Sequence, residues 1–340
     1  MRNSNRRIVL AERPVGMPDE NTFRMEEQPI PEPGPGEIMY RSDWLSLDPY
    51  MRGRMVDAPS YVPPVQIGEV MTGATVGEVI KSNNPAFKEG DWVEGRLGWQ
   101  DYSVGGPADM RVIDTGDLPK SLALGALGMP GNTAYFGLLD VGEARVGDTV
   151  VVSAASGAVG AMVGQIAKLS GCRVVGIAGS QDKIDYVTKE LGFDACINYK
   201  DCADTNALSK ALKAVCPAGI DVFFDNVGGW VFDAVMPLIN LRARVVICGM
   251  ISQYNLTEME MAPRTTRHLL VKRAKMQGLI VFDFLSRYPE SLERLTRWIQ
   301  NGDIKYKEDI TVGLENAPAG FNRLMEGKNF GKAVVKITED

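Results

Sequence analysis

Between residues 149 and about 300, short apolar runs alternate with helical patterns. The runs are TVVVSA, CRVVGIA, FDACINY, IDVFFDN, RARVVICGM and KMQGLIVF. Between them lie GAMVGQIAKLSG, KIDYVTKELG, TNALSKALKAVC and WVFDAVMPLI. Continuous runs rich in valine and isoleucine fit strands buried on both faces of a parallel sheet, because a half-buried strand would alternate apolar with polar residues. Gly171 and Gly192 fall where a helix end favours a left-handed residue. Six strands in β–α alternation predict an α/β fold with a doubly wound, Rossmann-type parallel sheet. Such sheets bind ligands beyond the carboxyl ends of their strands.

Residues 1 to about 127 have a different texture. RRIVLAE, FRMEEQP, EIMYRSDWLSL, EVMTGATVGEVI, DWVEGRLGWQDYSV and MRVI are separated by Pro, Gly, Asn and Asp. Short, closely spaced strands with that punctuation predict a β-barrel or sandwich. In the tail, SLERLTRWIQNGDI and ENAPAGFNRLMEG read as helices and GKAVVKI as a last strand.

The turn AASGAVG follows the first strand of the alternating region and opens a helix. Ala155, Gly157 and Gly160 occupy the three positions of a G-x-G-x-x-G fingerprint, with alanine in the first. A helix N-terminus there presents unpaired N–H groups and a positive dipole end to phosphates, so the turn predicts dinucleotide binding. At the end of the second strand an NAD-binding fold would carry an acidic residue for the ribose. Here the segment is AGSQDK, and Gly179 and Ser180 do not repel a 2′-phosphate. Ser180 is placed to cap the next helix, with Lys183 in its first turn. A cation there is unfavourable by about 0.3–1 kcal/mol unless a phosphate sits beside it. These residues favour NADP over NAD, with Asp182 nearby as the group that would suit an unphosphorylated ribose.

Other function classes are disfavoured. The chain of 340 residues carries 37 basic and 43 acidic residues, a net charge of −6, with no basic block of the kind that grips nucleic acid. No apolar run reaches the ~20 residues of a membrane span. The amino-terminal MRNSNRRIVLAERP lacks a signal-peptide core, so a cytoplasmic protein is expected. Cys172, Cys196, Cys202, Cys216 and Cys248 lie without C-x-x-C spacing and read as buried small hydrophobes. With one histidine, His268, read as a surface residue, the sequence predicts no metal site.

The segments SLDPYMRGRM, GMPGNTAYFGLL, AASGAVGAMVGQIAK, DVFFDNVGG, CGMISQYN and GKNFGKAVVKI together resemble the zinc-independent medium-chain dehydrogenase/reductases. More narrowly the chain is similar to the branch of prostaglandin reductases and plant and bacterial double-bond reductases, from about residue 40 to the end. The resemblance implies a GroES-like β-barrel catalytic domain over residues 1–127, completed by 307–340, and a Rossmann NADP-binding domain over 128–306. It implies that Gly157, Ala158, Val159 and Gly160 face the pyrophosphate, and that Lys183 and Tyr199 hold the 2′-phosphate. Asn226 and the segment 248–254, including Cys248, Gly249, Ile251, Ser252 and Tyr254, would line the ribose and nicotinamide. Leu279, Ile280 and Val281 would flank the carboxamide through their backbone, and Asn329 would reach back to the cofactor. A homodimer is implied as well.

The chemistry that fits is hydride addition from NADPH to the β-carbon of a small hydrophobic enone, with hydrogen-bond donors stabilising the charge on the ketone oxygen. Tyr254 is the first candidate for proton donor, or else a positional contact to the ribose; Tyr50 is the second, as a wall of the substrate pocket. Residues 56–68, VDAPSYVPPVQIG, form an aromatic and proline-rich loop longer than that of animal prostaglandin reductases. It suits a bulky or flat enone, with Tyr61 as a contact. Two other readings stay open: a quinone or aldehyde reductase on the same fold, and a non-catalytic NADPH-binding protein.

Overall fold

The computed structural model describes residues 3–338. It divides into two compact units, one made of the chain up to Gly125 together with the segment from Glu308 onward, the other of Ala126–Lys307. In chain order the first stretch holds β1 (Asn5–Leu10), β2 (Phe23–Gln28), β3 (Ile38–Ser46), α1 (Tyr50–Arg54), β4 (Thr75–Ser82), β5 (Trp92–Gly95), β6 (Tyr102–Gly105) and β7 (Met110–Val112). The second unit holds α2 (Met129–Phe136), β8 (Thr149–Ser153), α3 (Ala158–Leu169), β9 (Arg173–Ala178), α4 (Gln181–Asp185), β10 (Ala195–Asn198) and α5 (Thr205–Val215). It continues through β11 (Ile220–Asp225), α6 (Gly229–Val235), β12 (Ile239–Ile247), α7 (Thr266–Lys272), β13 (Lys275–Gly278) and α8 (Tyr288–Gln300). The chain then returns to the first unit with β14 (Glu308–Val312), α9 (Ala317–Met325) and β15 (Lys332–Lys336).

The second unit is built on a parallel sheet of order β10-β9-β8-β11-β12-β13. The strand order reverses at β8, so its carboxyl end is the switch point where such sheets receive ligands. The valine runs are explained by burial on both faces. Val151, Val175, Phe223 and Val245 pack with Leu208 and Leu212 of α5 and Val231, Ala234 and Val235 of α6. Their neighbours Val150, Val152, Val222 and Phe224 point the other way and are equally buried. Gly171 and Gly192 stand at φ of 78° and 75°, ending the helices before them. The helix expected over KIDYVTKELG is interrupted. Past α4 it widens to i→i+5 bonding, seen in Leu191 N–H donating to Tyr186 C=O at 3.2 Å.

In the first unit β3 organises the sheet. One edge pairs with β4; the other pairs with β6 through Ile38–Arg41 and with β15 through Trp44–Ser46. Ile337 N–H donates to Asp43 C=O between those two ladders, which is how the chain's last strand comes to complete the unit. β14 runs parallel to β15, and β5 carries β7. Among the described residues no ladder joins β7 to β14, so the pairing is a branched path, with β1 and β2 as a separate ribbon. The expected single strand in DWVEGRLGWQDYSV is two, β5 and β6. Gly98 between them has φ of 89°, and a Cβ there would lie 2.5 Å from Met71 O. Among the described residues no helix is long and apolar enough to cross a membrane.

Candidate active site

The turn after β8 is tight. Ala154 is left-handed at φ of 50°, and its carbonyl accepts the Gly157 N–H at 2.9 Å. Gly157 is extended at the helix start and no side chain caps α3. The first helical bond runs from Ala161 N–H to Gly157 C=O at 3.0 Å, so the N–H groups of Ala158, Val159 and Gly160 lie ahead of the ladder. A Cβ on Gly160 would lie 2.3 Å from Ala154 O, whereas one on Gly157 would meet only that oxygen, at 3.2 Å. The cradle is backbone, with open space before Gly157, and this fits an anionic diphosphate.

After β9 the chain passes Gly179 and Ser180. Ser180 takes the N-cap position of α4, as the sequence suggested, but its side chain makes no cap bond. Lys183 is the third residue of α4 and half-buried. Tyr199 follows β10, and its ring lies so near Gly179 that a Cβ there would be 2.9 Å from it. The same ring meets Trp230 edge-on at 6.0 Å. Burial pushes the Tyr199 hydroxyl up from its ordinary pKa, so it is a donor at neutral pH. A donor beside a side-chain-free strand end, with a lysine on the next helix, fits a 2′-phosphate better than a bare ribose.

The ends of β8, β11 and β12 are tied together. Asn226 Nδ2 donates to Ser153 O at 2.8 Å, and Asn226 N–H to Ser153 Oγ at 2.8 Å. Cys248 and Gly249 N–H donate to Asp225 C=O, Ile251 N–H to Asn226 C=O, and Ser252 N–H and Oγ to Val227 C=O. Tyr254 is half-buried, and its hydroxyl accepts the Met250 N–H at 3.2 Å. Asn226, Cys248, Gly249, Ile251, Ser252 and Tyr254 are thus brought together at one end of the sheet. Leu279 extends this end by donating its N–H to Ile247 C=O at 2.9 Å; Leu279 and Val281 are buried, Ile280 half-buried. Burial, then the charge of Asp225, pushes the Cys248 thiol up to about 12, so it stays protonated and is no nucleophile at neutral pH.

In the first unit, Tyr50 opens α1. Burial and then Asp48 push its hydroxyl well up. Tyr61 lies in the 56–68 loop, 54% exposed, close enough to the Arg54 charge and the Tyr50 hydroxyl to interact with both. The loop is pinned at its ends by Val65 N–H to Arg54 C=O and Gly68 N–H to Leu10 C=O, each at 2.8 Å. Asn329 lies in the turn before β15, with Nδ2 donating to Gly331 O.

One other expectation needs correcting. Only Cys172 and Cys216 are buried; Cys196, Cys202 and Cys248 are partly buried, because Cys196 lies in the edge strand β10, Cys202 in the turn after it and Cys248 just past the end of β12. His268 is partly exposed on α7, a helix that buries no residue, which agrees with its reading as a surface residue.

A family model described as the N-terminal domain of oxidoreductase matches residues 6–113, and one described as zinc-binding dehydrogenase matches residues 158–299. A protein of Escherichia coli (strain K12) named NADPH-dependent curcumin reductase is 49% identical over 343 residues, 99% of this chain and 98% of that one. The chain belongs to the medium-chain dehydrogenase/reductase family. A 2-alkenal reductase (NADP(+)-dependent) of Nicotiana tabacum is 43% identical over 99% of this chain and 98% of its own. The solved structure of CurA from Vibrio vulnificus in complex with NADPH matches with a TM-score of 0.93 at 51% identity, over 98% of this chain and 100% of that one. Among the described residues no three or more His, Cys, Asp or Glu side chains group to hold a metal ion.

Two residues of this dehydrogenase/reductase site escaped the sequence reading. Asp225 is buried, and its carboxylate accepts Ser153 Oγ–H at 2.7 Å and the N–H groups of Val227 and Gly228 at 3.0 Å. It holds the turn at Gly228 and Gly229, both left-handed at φ of 70° and 57°. An Asp two or three residues before paired glycines is an Asx-turn signal that points to this role. Ser153, between Asp225 and Asn226, carries no comparable signal.

Proposed function

We propose that this medium-chain dehydrogenase/reductase reduces the carbon–carbon double bond of α,β-unsaturated ketones with NADPH. The observation that carries the reading is the full-length likeness, at 51% identity, to CurA in complex with NADPH. Curcumin and 2-alkenals, after which relatives are named, both hold a double bond conjugated to a carbonyl. NADPH, when bound, supplies the hydride for the β-carbon.

The chain's own part is to bind, orient and donate. The N–H groups of Ala158, Val159 and Gly160, with Gly157, face the pyrophosphate; Lys183 and Tyr199 take the 2′-phosphate. Asn226, the segment 248–254, the backbone of Leu279–Val281 and Asn329 orient the ribose and nicotinamide. As the β-carbon is reduced, negative charge grows on the ketone oxygen, and a donor aimed there lowers the barrier. Tyr254 suits this: a phenol accepts and donates at once, and its bond from Met250 N–H fixes the oxygen. Tyr50, kept protonated by burial, and Tyr61 form the substrate wall. The substrate wall falls to residues 1–127 with 307–340, which also supply Asn329, and cofactor binding with the Tyr254 donor falls to 128–306.

The test follows NADPH absorbance with a conjugated enone such as curcumin, with product mass. A product two hydrogens heavier with its ketone intact supports the reading. Turnover confined to quinones or aldehydes supports the alternative chemistry on this fold, and binding without turnover supports a non-catalytic NADPH protein. Lys183→Ala is expected to raise KM for NADPH about tenfold or more and to leave KM for NADH nearly unchanged, since one charge-assisted phosphate contact is lost. Equal effects on both cofactors would remove Lys183 from the phosphate site.

The protein is proposed to be a cytoplasmic homodimer. All five cysteines are unpaired, as suits a reducing compartment. β13 ends the parallel sheet and is exposed along its length, and α7 buries no residue, leaving Leu270 78% and Val271 54% exposed. An open strand edge beside apolar side chains favours pairing with a second copy. Light scattering is expected to give twice the chain's 37.1 kDa, and Val271→Glu with Leu270→Glu to give the monomer.

A further inference from the structure

Beside Tyr50 stands a cation, Arg54, with no side-chain hydrogen bond or ion pair among the described residues. Tyr50 and Arg54 are four residues apart in α1 and so share a helix face. Arg52 lies on another face and is used structurally: its guanidinium donates to Pro14 O and Gly16 O. Arg54 makes no such bond. It enters no ion pair among the described residues, and its Nε is shut off from solvent with no hydrogen-bond partner. Its charge reaches the hydroxyls of both Tyr50 and Tyr61. Asp48, whose charge also reaches Tyr50, is already spent: its carboxylate holds Lys332 Nζ at 2.8 Å and the Ser46 hydroxyl. A buried guanidinium N–H left unpaired is unfavourable, and the arrangement persists where something else supplies the acceptor.

We propose that Arg54 is a specificity residue that binds a carboxylate carried by the enone substrate, with the Tyr50 and Tyr61 hydroxyls as flanking donors. The guanidinium fork matches a carboxylate with two parallel N–H···O bonds, where a ketone or ester oxygen offers a single neutral acceptor. The assignment rests on the enone-reductase reading for the reaction, but not for the binding.

The test uses the full chain and two probes of nearly one shape: 4-(3-oxobut-1-enyl)benzoate, a conjugated enone with a carboxylate, and its methyl ester, in para and meta forms. Turnover with NADPH gives KM and kcat; calorimetry on the NADP+-loaded protein gives Kd without reaction. The wild type is expected to prefer acid over ester in both KM and Kd. In Arg54→Met the acid-to-ester preference should fall about tenfold or more, mainly in KM, and Arg54→Lys should restore part of it as a charge without the fork. Thermal melting checks that the variants are folded. A preference that is absent in the wild type, or unchanged in a folded Arg54→Met, overturns the proposal. If the acid binds in an Arg54-dependent way yet neither probe is reduced, the carboxylate site stands and the enone reading falls. If both are reduced with no dependence on Arg54, the reverse holds.

Discussion

Gly160→Ala is expected to destroy the cofactor site and to weaken the fold, whereas Gly157→Ala will damage the site alone. The Cβ of residue 160 would lie 2.3 Å from Ala154 O and 3.0 Å from Ala154 C, and these are backbone atoms with no rotamer to yield. The turn has little slack, because Ala154 already occupies the left-handed region that disfavours an L side chain. Relief requires α3 to back away from β8, which opens the cradle and disturbs a fully buried strand. A loss of about 2–4 kcal/mol in unfolding free energy is of the size seen for overpacking against a rigid wall. Affinity for NADPH should fall by about a hundredfold or more. Gly157 differs: its φ of −77° suits any residue, and its Cβ would meet only Ala154 O at 3.2 Å. That methyl enters the open space before the N–H groups, so NADPH affinity should fall about tenfold with the melting temperature nearly unchanged. Denaturation curves together with cofactor titration separate the two. Equal affinity losses for both variants would mean that the phosphates do not rest on this turn.

The parallel sheet was legible because burial on both faces writes itself as unbroken valine and isoleucine runs, as in β8 and β9. The glycine turn was legible for a related reason: only a backbone-lined turn tolerates Gly160 packed against Ala154. Less legible was the pairing within the first unit. Nothing in EIMYRSDWLSL says that one edge of β3 is shared between β6 and β15, since that depends on a partner almost three hundred residues away along the chain. Asp225 and Ser153 were missed because a buried acid whose partners are backbone N–H groups leaves no charged counterpart in the sequence. Arg54 was missed for the opposite reason. Two arginines stand in YMRGR, and only their packing separates the one tied to Pro14 and Gly16 from the one left without an acceptor.

Lys332→Met is expected to be among the most destabilising single changes in the first unit. Lys332 is a charged side chain only 5% exposed, paired with Asp48 at 7%. Its Nζ donates to Asp48 Oδ1 and to Leu47 O, both at 2.8 Å, so it joins β15 to the chain just past β3. Methionine fills similar space but leaves the Asp48 charge with Ser46 alone and strands the Leu47 carbonyl. Removing one partner of a buried pair costs about 3–5 kcal/mol, chiefly through the charge left behind. Glu308 adds a pH signature. Burial raises its pKa above the ordinary 4.5, while Ser121 and Lys332 hold it down. Without Lys332 the folded state favours a protonated carboxyl at Glu308 more strongly. A carboxyl whose folded pKa is raised weakens the fold as pH climbs past the unfolded value, so the variant's deficit should be greatest near neutral pH and shrink on acidification toward the ordinary carboxylate range. Urea denaturation at several pH values reads this directly. Adding Asp48→Asn should recover a good part of the loss, since a neutral pair avoids the buried charge. A double variant no more stable than Lys332→Met alone would mean that Lys332 acts through packing and its bond to Leu47 rather than through Asp48. Because Asp48 and Tyr50 flank Pro49 at the entry to α1, Lys332→Met should also raise KM for the enone, and Asp48→Asn in the same chain should bring it back.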